Sequence, residues 1–502
     1  MITAVTTEPN NASPDQGDSF DTIAANENGD FTSSVDRKSS VAAFGASHNL
    51  NRSRRRVMAS ALKGLAPLTL EEREAFAGRD AAGKSIEARD LEGFSDPGRR
   101  YSVCGCMRHA AFGKSTYTAV QKASGRVHFK GINRCGSVWT CAECAQIIEA
   151  HRGEEVKMLT ERAREKGYRL FMITYTFPHT INDTCKDSMT GLADALRKCR
   201  GRRGYRAVQA ALGFVGLVRS TEVTHGSNGW HTHVHEIWVC ESAEQSAENL
   251  FEYVDETGDI NVSKIKSRLY PEWKKAAVSV FGKLRAPSYE HGLDVREVWS
   301  DTDYTNKLPD HAAAKKEAGK KRWGSDAEMT KTVVKRGKGS MTIWELMDNL
   351  TYYEKSGNED MALVIRLQLE DYARGTYRKR RMYWTPTRTR MDGTVAEGLR
   401  DLFGISQEKT DEEIVNEAGE VDPNAEPDVV EVSIDVNGLP LMAKKCGLPD
   451  WLYLELLQDR FDRLGVLEVL KIDGWKLHRL SDREDGVPRW FAGSGPRLVL
   501  SK

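Results

Sequence analysis

Three histidines at alternate positions near the middle of the chain constrain its fold more than any other feature. They are His231, His233 and His235, in the segment Glu222–His235 (EVTHGSNGWHTHVH). Only 12 of the 502 residues are histidine, so composition alone does not explain this spacing. Side chains of a β-strand alternate between two faces. The pattern therefore predicts a strand that presents all three imidazoles on one face.

A predicted hairpin before this strand brings a carboxylate to the same face. Glycines flank Ser227–Asn228, and a turn centred on that pair places Glu222 directly opposite His233, with Cβ atoms about 5 Å apart. Two imidazoles and one carboxylate then form a divalent-metal site with positions open for phosphate oxygens. A register slip of one residue would turn Glu222 away. The alternatives are a half-exposed strand whose histidines only face water, and a metalloenzyme that acts on small molecules.

A tyrosine further along the chain has the neighbours that a nucleophile needs. Asp301, Tyr304 and Lys307 are spaced by three residues and share one face of a predicted helix. A phenol has a pKa of about 10, so it needs a cation that favours the phenolate and a metal that polarises the phosphate. We predict Tyr304 as nucleophile, Lys307 as its cation, and Asp301 or Asp303 as a carboxylate that orients the lysine or activates a water. The alternative is that Tyr304, one of 15 tyrosines, only packs against other side chains.

Five of the nine cysteines fall between residues 104 and 144. They are Cys104, Cys106, Cys135, Cys141 and Cys144, and the last two have the C-x-x-C spacing of a zinc knuckle. A closed tetrahedral site needs four ligands, and the sequence does not choose between Cys104 and Cys106. We predict structural zinc in this segment. The alternatives are buried free thiols and a redox pair, although the strand-then-helix context of a redox C-x-x-C is missing.

The charges of the chain are segregated although the total is neutral, with 73 basic and 73 acidic residues. Acidic residues collect in 411–431, and basic residues in 197–206, 315–338 and 374–390. Cations neutralise phosphates and aromatic rings stack on exposed bases, so basic stretches with aromatics predict DNA contact; solvated helix faces are the alternative. The predicted DNA-binding residues are Arg202, Arg203, Arg378, Lys379, Arg380, Tyr383 and Trp384.

Four segments follow one another in a characteristic order: Phe171–Pro178, Glu222, Gly229–His235 and Tyr304–Lys307. In this order they resemble the HUH endonuclease superfamily, and more narrowly the plasmid rolling-circle replication initiators. The resemblance covers roughly residues 100–405. It implies an α+β fold with a central antiparallel sheet flanked by helices. The histidines would lie on a central strand of that sheet, and the tyrosine on a facing helix.

The resemblance also implies which residues hold the metal. The His-hydrophobic-His pair of the family corresponds to His233 and His235, and the third ligand to Glu222. His231 stands just before the pair and is then a spectator or an alternative ligand. The implied ion is Mg²⁺ or Mn²⁺.

In the same resemblance the nucleophile corresponds to Tyr304 and the lysine after it to Lys307. Some relatives place a glutamate four residues before the tyrosine for the terminating cleavage; here that position is Ser300, so the role falls to Asp301 or Asp303. The implied reaction is attack of the tyrosine on a phosphodiester of single-stranded origin DNA, which leaves a 5′-phosphotyrosine and a free 3′-hydroxyl. Origin DNA, a host helicase and a polymerase are the implied partners.

Two alternatives to replication initiation stay open. A single-tyrosine relaxase or transposase of a mobile element shares the same metal and tyrosine chemistry. A zinc-stabilised DNA-binding regulator without catalysis needs the cysteines but not Tyr304.

The sequence predicts six segments along the chain. We expect a cytoplasmic protein with no membrane span, because no run approaches about 18 apolar residues and the polar N-terminus does not resemble a secretory signal. Periodicity predicts helical structure over 188–212 and 341–376. The segments are a disordered tail (1–60), a linker with the cysteine-rich segment (61–150), the nicking domain (151–345), a helical basic DNA-binding extension (346–408), an acidic linker (409–430) and a small C-terminal domain (431–502).

Overall fold

In a computed structural model of the chain, the described residues are 50–62, 102–107, 111, 114–241, 253–254, 260–298, 340–389, 394–420, 427–448 and 450–493. They belong to one unit, Asn49–Lys502. The predicted catalytic residues Asp301, Tyr304 and Lys307 lie outside the described residues, as do residues 1–49 of the predicted tail.

The described strands are β1 (Thr116–Lys122), β2 (Val127–Lys130), β3 (Arg169–Tyr175), β4 (Phe214–Gly226), β5 (Gly229–Cys240), β6 (Leu293–Glu297), β7 (Ser340–Met341), β8 (Met382–Trp384), β9 (Arg388–Thr389), β10 (Val395–Ala396), β11 (Asp428–Asp435), β12 (Lys476–Arg479) and β13 (Arg489–Gly493). The described helices are α1 (50–62), α2 (Ala142–Glu165), α3 (Cys185–Gly201), α4 (Arg203–Ala211), α5 (Val262–Phe281), α6 (Ile343–Ser356), α7 (Glu359–Thr376), α8 (Leu399–Leu402), α9 (Asp411–Glu420), α10 (Leu439–Lys445), α11 (Asp450–Leu464) and α12 (Val466–Ile472).

The predicted histidine strand is β5, and it lies in an antiparallel sheet that we call the histidine sheet. The strand order is β6-β3-β5-β4-β7, and β8 pairs with β4 beside this path. Val234 and Trp238 of β5 pack with residues of α3, α4 and α5, whereas Ile237 and Val239 pack with residues of α2. Because side chains alternate along a strand, the odd-numbered histidines of β5 share the α2 face of the sheet.

Strands from distant parts of the chain form a second sheet, which we call the terminal sheet. Its order is β12-β13-β11-β1-β2. Tyr117 of β1 pairs with Ile434 of β11, and both side chains are buried in the same core. The sequence assigns 61–150 and 431–502 to different domains, but the structure joins them here. Two or three strands alone bury little apolar surface, so the pairing of both segments stabilises each.

Two segments predicted as helical are interrupted by their backbone geometry. The segment 188–212 breaks at Arg202, whose extended ψ of 145° separates α3 from α4. The segment 341–376 breaks at Gly357, which ends α6 with a left-handed φ of 72°. Glycine adopts that conformation without a steric penalty and commonly ends helices.

Helices also form where the sequence predicts a disordered tail and an acidic linker. In α1, Arg52 is buried and forms an ion pair of 3.1 Å with Asp462 of α11. At the start of α9, the Thr410 hydroxyl accepts a hydrogen bond from the backbone of Glu413, whose carboxylate accepts one from the backbone of Thr410. A long-range ion pair and a reciprocal cap stabilise these helices, and periodicity reveals neither. Within the described stretches, no helix combines the length and the apolar character that a bilayer crossing requires.

Candidate functional site

The hairpin of β4 and β5 adopts the register that the sequence predicts. Its turn is Ser227–Asn228, and Glu222 pairs directly with His233. Gly229 follows the turn with a φ of 86°, and a Cβ at this position would lie 2.7 Å from the carbonyl oxygen of Thr180. A side chain there would meet both steric and backbone strain, so glycine fixes the start of the histidine strand.

Three side chains of this hairpin bring their ligand atoms together, and we call Glu222, His233 and His235 the histidine group. The Nε2 atoms of His233 and His235 lie 3.3 and 3.7 Å from Oε2 of Glu222. The three ligand atoms all lie within 4.8 Å of one another. The hairpin register therefore produces a compact set of two nitrogen donors and one oxygen donor.

The spacing of the histidine group suits a divalent cation. Ligand atoms about 2.1 Å from one ion, at angles near a right angle, are roughly 3 Å apart, which is close to the two distances above. A mixed imidazole and carboxylate set accepts first-row divalent ions. Three protein ligands leave the remaining positions of such an ion for water or substrate oxygens.

The two imidazoles of the group are held in different ways. The Thr174 hydroxyl lies 2.9 Å from Nδ1 of His235. In the tautomer that leaves Nε2 free as a ligand, Nδ1–H donates to this hydroxyl and fixes the ring. Nδ1 of His233 is buried and has no hydrogen-bond partner among the described residues. Its ring packs edge-on against that of His235, with 4.8 Å between the centroids.

His231 shares the face of the histidine group but lies outside it. Its ring centroid is 5.0 Å from those of His233 and His179. Burial, together with the charges of His233 and His179, lowers the pKa of His231 to about 4. His231 is therefore neutral at pH 7, and it is not one of the three residues whose ligand atoms converge.

A cleft of about 660 Å³ opens beside the histidine group, a volume typical of ligand sites. Its lining includes His231 and His235 of β5 and Thr174 of β3. Two further histidines, His179 after β3 and His291 before β6, also line it. The sequence analysis did not find them, because each is a single histidine in a loop without a periodic pattern.

Four buried cysteines form a second set of candidate ligands, Cys106, Cys135, Cys141 and Cys144, which we call the cysteine group. The Sγ atom of Cys144 is 3.7 Å from those of Cys106 and Cys135, and Cys141 is 3.7 Å from Cys106. Four sulfurs placed about 2.3 Å from one zinc ion in a tetrahedron are roughly 3.8 Å apart. The group therefore has the donors and the spacing to hold a metal such as zinc.

Cys104 lies outside the cysteine group, which resolves the choice that the sequence left open. Its Sγ contacts the carbonyl oxygen of Ala59 in α1 at 3.7 Å. Within the group, burial raises the pKa of the Cys135 and Cys141 thiols, whereas hydrogen bonds from the neighbouring thiols lower the pKa of Cys144. Because a metal binds the thiolate, loading of this site releases protons.

Aromatic side chains connect the cysteine segment to the histidine strand. Trp139, just before Cys141, donates its Nε1–H to the carbonyl oxygen of Lys379 at 2.7 Å. Its ring centroid is 6.3 Å from that of Tyr372, which is in turn 5.7 Å from that of Trp230. Trp230 directly precedes the histidines, so the cysteine segment supports the strand that carries them.

The predicted basic DNA contacts occupy different surroundings. Arg202 forms an ion pair with Glu272 of α5, and Arg203 is exposed. The run Arg378–Arg380 is exposed and lines a second cavity, of about 610 Å³, next to the cysteine segment. None of these cations lines the cleft beside the histidine group.

The two predicted aromatic DNA contacts also differ. The ring of Trp384 is 4% exposed, and the guanidinium carbon of Arg400 lies 4.3 Å from its centroid. The indole thus packs inside the protein and offers no free face to a base. Tyr383 is half-buried, with the guanidinium carbon of Arg219 4.9 Å from its ring centroid.

The fold and the two ligand groups define a class of protein. It is a mixed α and β chain in which an antiparallel sheet carries a His-His-Glu group and the start of a helix carries buried cysteines.

Among curated proteins, Protein rep of Streptomyces lividans is 26% identical over 305 residues, which cover 53% of this chain and 65% of the relative. The Neomycin resistance protein of Streptomyces cyanogenus is 28% identical over 140 residues, which cover 23% of this chain and 32% of that relative.

The similarity to Protein rep thus extends over about half of this chain, and less than two thirds of either relative is covered. No protein-family profile matches the chain. No solved structure matches it either. The chain is therefore similar to a Rep protein at modest identity.

Proposed function

We propose that this protein initiates rolling-circle DNA replication by nicking single-stranded origin DNA with Tyr304. The observation that carries the proposal is the histidine group, in which two imidazole nitrogens approach one carboxylate oxygen at 3.3 and 3.7 Å beside an open cleft. The similarity to Protein rep of Streptomyces lividans supports a plasmid replication protein rather than a metalloenzyme of small molecules.

The side chains around the cleft have distinct tasks in this proposal. Glu222, His233 and His235 would hold a divalent ion such as Mg²⁺ or Mn²⁺, which would supply polarisation of the attacked phosphate. Glu222 supplies the negative charge that favours cation binding, and Thr174 holds the ring of His235 with Nε2 toward Glu222. Neutral His231 lines the cleft without repelling the cation.

The proposed covalent step exchanges one phosphodiester for another. The Tyr304 oxygen forms a bond to phosphorus, and the bond from phosphorus to the 3′-oxygen breaks. The phenol proton passes to water, a loss that the charge of Lys307 favours, and the 3′-oxygen takes a proton from water. Asp301 orients Lys307 or activates a water in a later strand-closing step. The free 3′-hydroxyl then primes synthesis.

Three further parts of the proposal concern other regions. The cysteine group holds structural zinc, which fixes the start of α2. The exposed cations Arg203 and Arg378–Arg380 contact DNA outside the cleft. A host helicase unwinds the duplex, and a host polymerase extends the strand from the 3′-hydroxyl.

The test uses the full chain and single-stranded oligonucleotides that tile the DNA flanking its gene. We expect one oligonucleotide to form a covalent adduct in the presence of Mn²⁺, and mass spectrometry of the DNA-linked peptide to identify Tyr304. Removal of the metal with EDTA and the substitution Tyr304→Phe should each abolish the adduct. Polymerase extension of the cut strand should show a free 3′-hydroxyl.

Tyr352→Phe is the matched control, because Tyr352 is 66% exposed on α6 and plays no part in the proposed step. The control should retain the adduct, and both variants should unfold at the wild-type temperature. An adduct on another residue would refute the role of Tyr304. Binding of DNA without any adduct would favour a non-catalytic regulator.

A further inference from the structure

The face of the histidine sheet opposite the histidine group carries a row of charged side chains that the function proposed above does not use. Tyr383 of β8, Arg219 of β4 and Glu236 of β5 are direct neighbours in register. Arg200 of α3 reaches this row and forms an ion pair with the fully buried carboxylate of Glu236. Because Glu236 is adjacent to His235 along β5, the two side chains point to opposite faces of the sheet.

The guanidinium of Arg219 lies between an aromatic ring and a carboxylate. Its carbon lies 4.9 Å from the ring centroid of Tyr383, and its Nε lies 3.3 Å from Oε1 of Glu236. The Tyr383 hydroxyl in turn accepts a hydrogen bond of 3.4 Å from Arg388. A guanidinium that is already ordered loses little conformational entropy when it binds a ligand.

Among the described residues, no hydrogen-bond or ion-pair partner contacts the two terminal nitrogens of this guanidinium. The contacts of Arg219 with described residues are those with Tyr383 and Glu236, and neither occupies the two terminal nitrogens. The side chain is 20% exposed, and the buried nitrogen without a hydrogen bond is Nε. Two parallel N–H donors that face solvent match two oxygens of a phosphate group.

The charge around this edge favours an anion. Arg200 and Arg219 both pair with the carboxylate of Glu236, and Arg388 contacts the Tyr383 hydroxyl, so these three arginines and one glutamate carry an excess of two positive charges. Arg200 and Arg388 come from two basic stretches, 197–206 and 374–390, that are far apart in the sequence. The fold therefore brings cations from both stretches to the same row of side chains.

We propose that Arg200, Arg219, Tyr383 and Arg388, here called the arginine fork, bind backbone phosphates of duplex DNA that flanks the nicking site. The identity of the partner as origin DNA rests on the function proposed above. Glu222 and Arg219 are three residues apart on β4, about 10 Å along the strand, and point to opposite faces. DNA that reaches both sites therefore extends well beyond the segment held in the cleft.

The test compares two probes taken from the DNA that flanks the gene. One is a short single strand, and the other is the same strand joined to a duplex arm. Arg219→Lys keeps the positive charge beside Glu236 but removes the planar pair of donors. We expect it to weaken binding of the arm-bearing probe by roughly 10-fold, as for other hydrogen bonds between charged groups. Binding and nicking of the short strand should be retained.

A second variant and a control define the site. Arg388→Ala should lower the slope of log affinity against log salt for the arm-bearing probe by about 0.9, the value for one phosphate contact. Arg197→Ala removes a charge that is 73% exposed and paired with Asp194 on α3, so it should leave both probes unaffected. Thermal melting of each variant checks that the fold is intact.

The outcomes separate this proposal from the proposed function. Equal losses on both probes, no loss on either, or a loss matched by Arg197→Ala overturns the arginine fork. Failure of the arm-bearing probe to bind the wild-type chain overturns it as well. If the wild-type chain nicks DNA but Arg219→Lys does not weaken binding of the arm-bearing probe, the proposed function stands and the arginine fork is refuted. If Arg219→Lys weakens that binding but the wild-type chain does not nick DNA, the arginine fork stands and the proposed function is refuted.

Discussion

The histidine group and the cysteine group are built from the sequence in different ways. One hairpin supplies all three ligands of the histidine group, from Glu222 to His235. The cysteine group takes Cys106 from one turn, Cys135 from a loop and two members from the start of α2. A hairpin places its partners by register alone, whereas separate segments meet only after the surrounding core has formed.

The two groups also differ in what they leave open. The histidine group has three ligands and borders a cleft of about 660 Å³. The cysteine group has four ligands, and all four are buried. An open position is typical of catalytic metal sites, and a closed tetrahedron of structural ones. The comparison therefore supports the proposal that the histidine group is catalytic and the cysteine group is structural.

Loss of the cysteine group should have the largest effect on the protein. Apparent zinc-binding free energies of structural sites, about 10–16 kcal/mol, match or exceed the total stability of most domains, about 5–15 kcal/mol. We expect Cys141→Ser to abolish zinc binding and to unfold the region around α2, measured by metal analysis and thermal melting. The control Cys104→Ser should retain one zinc per chain. Equal zinc loss in both variants would contradict the ligand set.

Loss of a histidine-group ligand should remove activity and leave stability nearly unchanged. Glu222→Gln keeps the shape of the side chain but removes the charge that attracts a cation. We expect Mn²⁺ affinity, measured by calorimetry, to fall at least 100-fold, because even residues that only orient a metal ligand contribute 10- to 100-fold. The control Glu417→Gln alters an exposed carboxylate of α9 and should change nothing. A large drop in melting temperature for Glu222→Gln would contradict the prediction that the histidine group, unlike the cysteine group, contributes little to stability.

The sequence predicts the histidine group well because its geometry is local. Alternation sets the face of His233 and His235, and the glycines around Ser227–Asn228 set the register that brings Glu222 opposite. For the cysteine group, the spacing of the cysteines identifies the segment, but it does not show which four of the five are the candidate ligands. Cys104 and Cys106 differ because the former points to Ala59 of α1, a helix that the sequence did not predict.

The rest of the fold depends on contacts that periodicity does not contain. Pairing of Tyr117 with Ile434 joins strands more than 300 residues apart, and no local pattern links them. The arginine fork similarly requires Arg219 and Tyr383 to lie in adjacent strands. The break at Gly357 is a different case, since a glycine after a helical run is a known stop signal that the sequence did contain.

Acid should destabilise α2, the helix that begins at the cysteine group, because a buried carboxylate on this helix becomes protonated. Arg400 donates two hydrogen bonds of 2.9 Å to Glu155 of α2, and Arg152 donates another of 3.0 Å. Burial raises the pKa of Glu155, but hydrogen bonds from His151 and Arg400 and the arginine charges outweigh it and lower the pKa to about 2. Because the pKa of Glu155 is lowered in the folded state, its ionised carboxylate stabilises the fold at pH values above its ordinary pKa of 4.5. This contribution is lost as the pH falls towards 2 and the carboxylate is protonated.

We therefore expect Glu155→Gln to lower the free energy of unfolding at pH 7 by roughly 3 kcal/mol, because it leaves buried cations without their partner. The variant should also lose part of its acid sensitivity between pH 4.5 and 2, followed by denaturant titration at each pH. Glu154→Gln alters the exposed neighbour on the same helix and should match the wild type. If the stability of Glu155→Gln falls with pH as steeply as that of the wild type, Glu155 is not the source of the acid sensitivity.

The smallest expected effect sharpens the comparison within the histidine group itself. Thr174 holds Nδ1 of His235 at 2.9 Å, whereas Nδ1 of His233 has no hydrogen-bond partner in the described part of the chain. Thr174→Val removes that contact and leaves every ligand in place, so we expect Mn²⁺ affinity to fall about 10-fold. The control Thr351→Val removes a hydroxyl that donates a hydrogen bond within its own helix, to the carbonyl oxygen of Met347. If both variants bind Mn²⁺ equally well, packing alone orients His235, as it does His233.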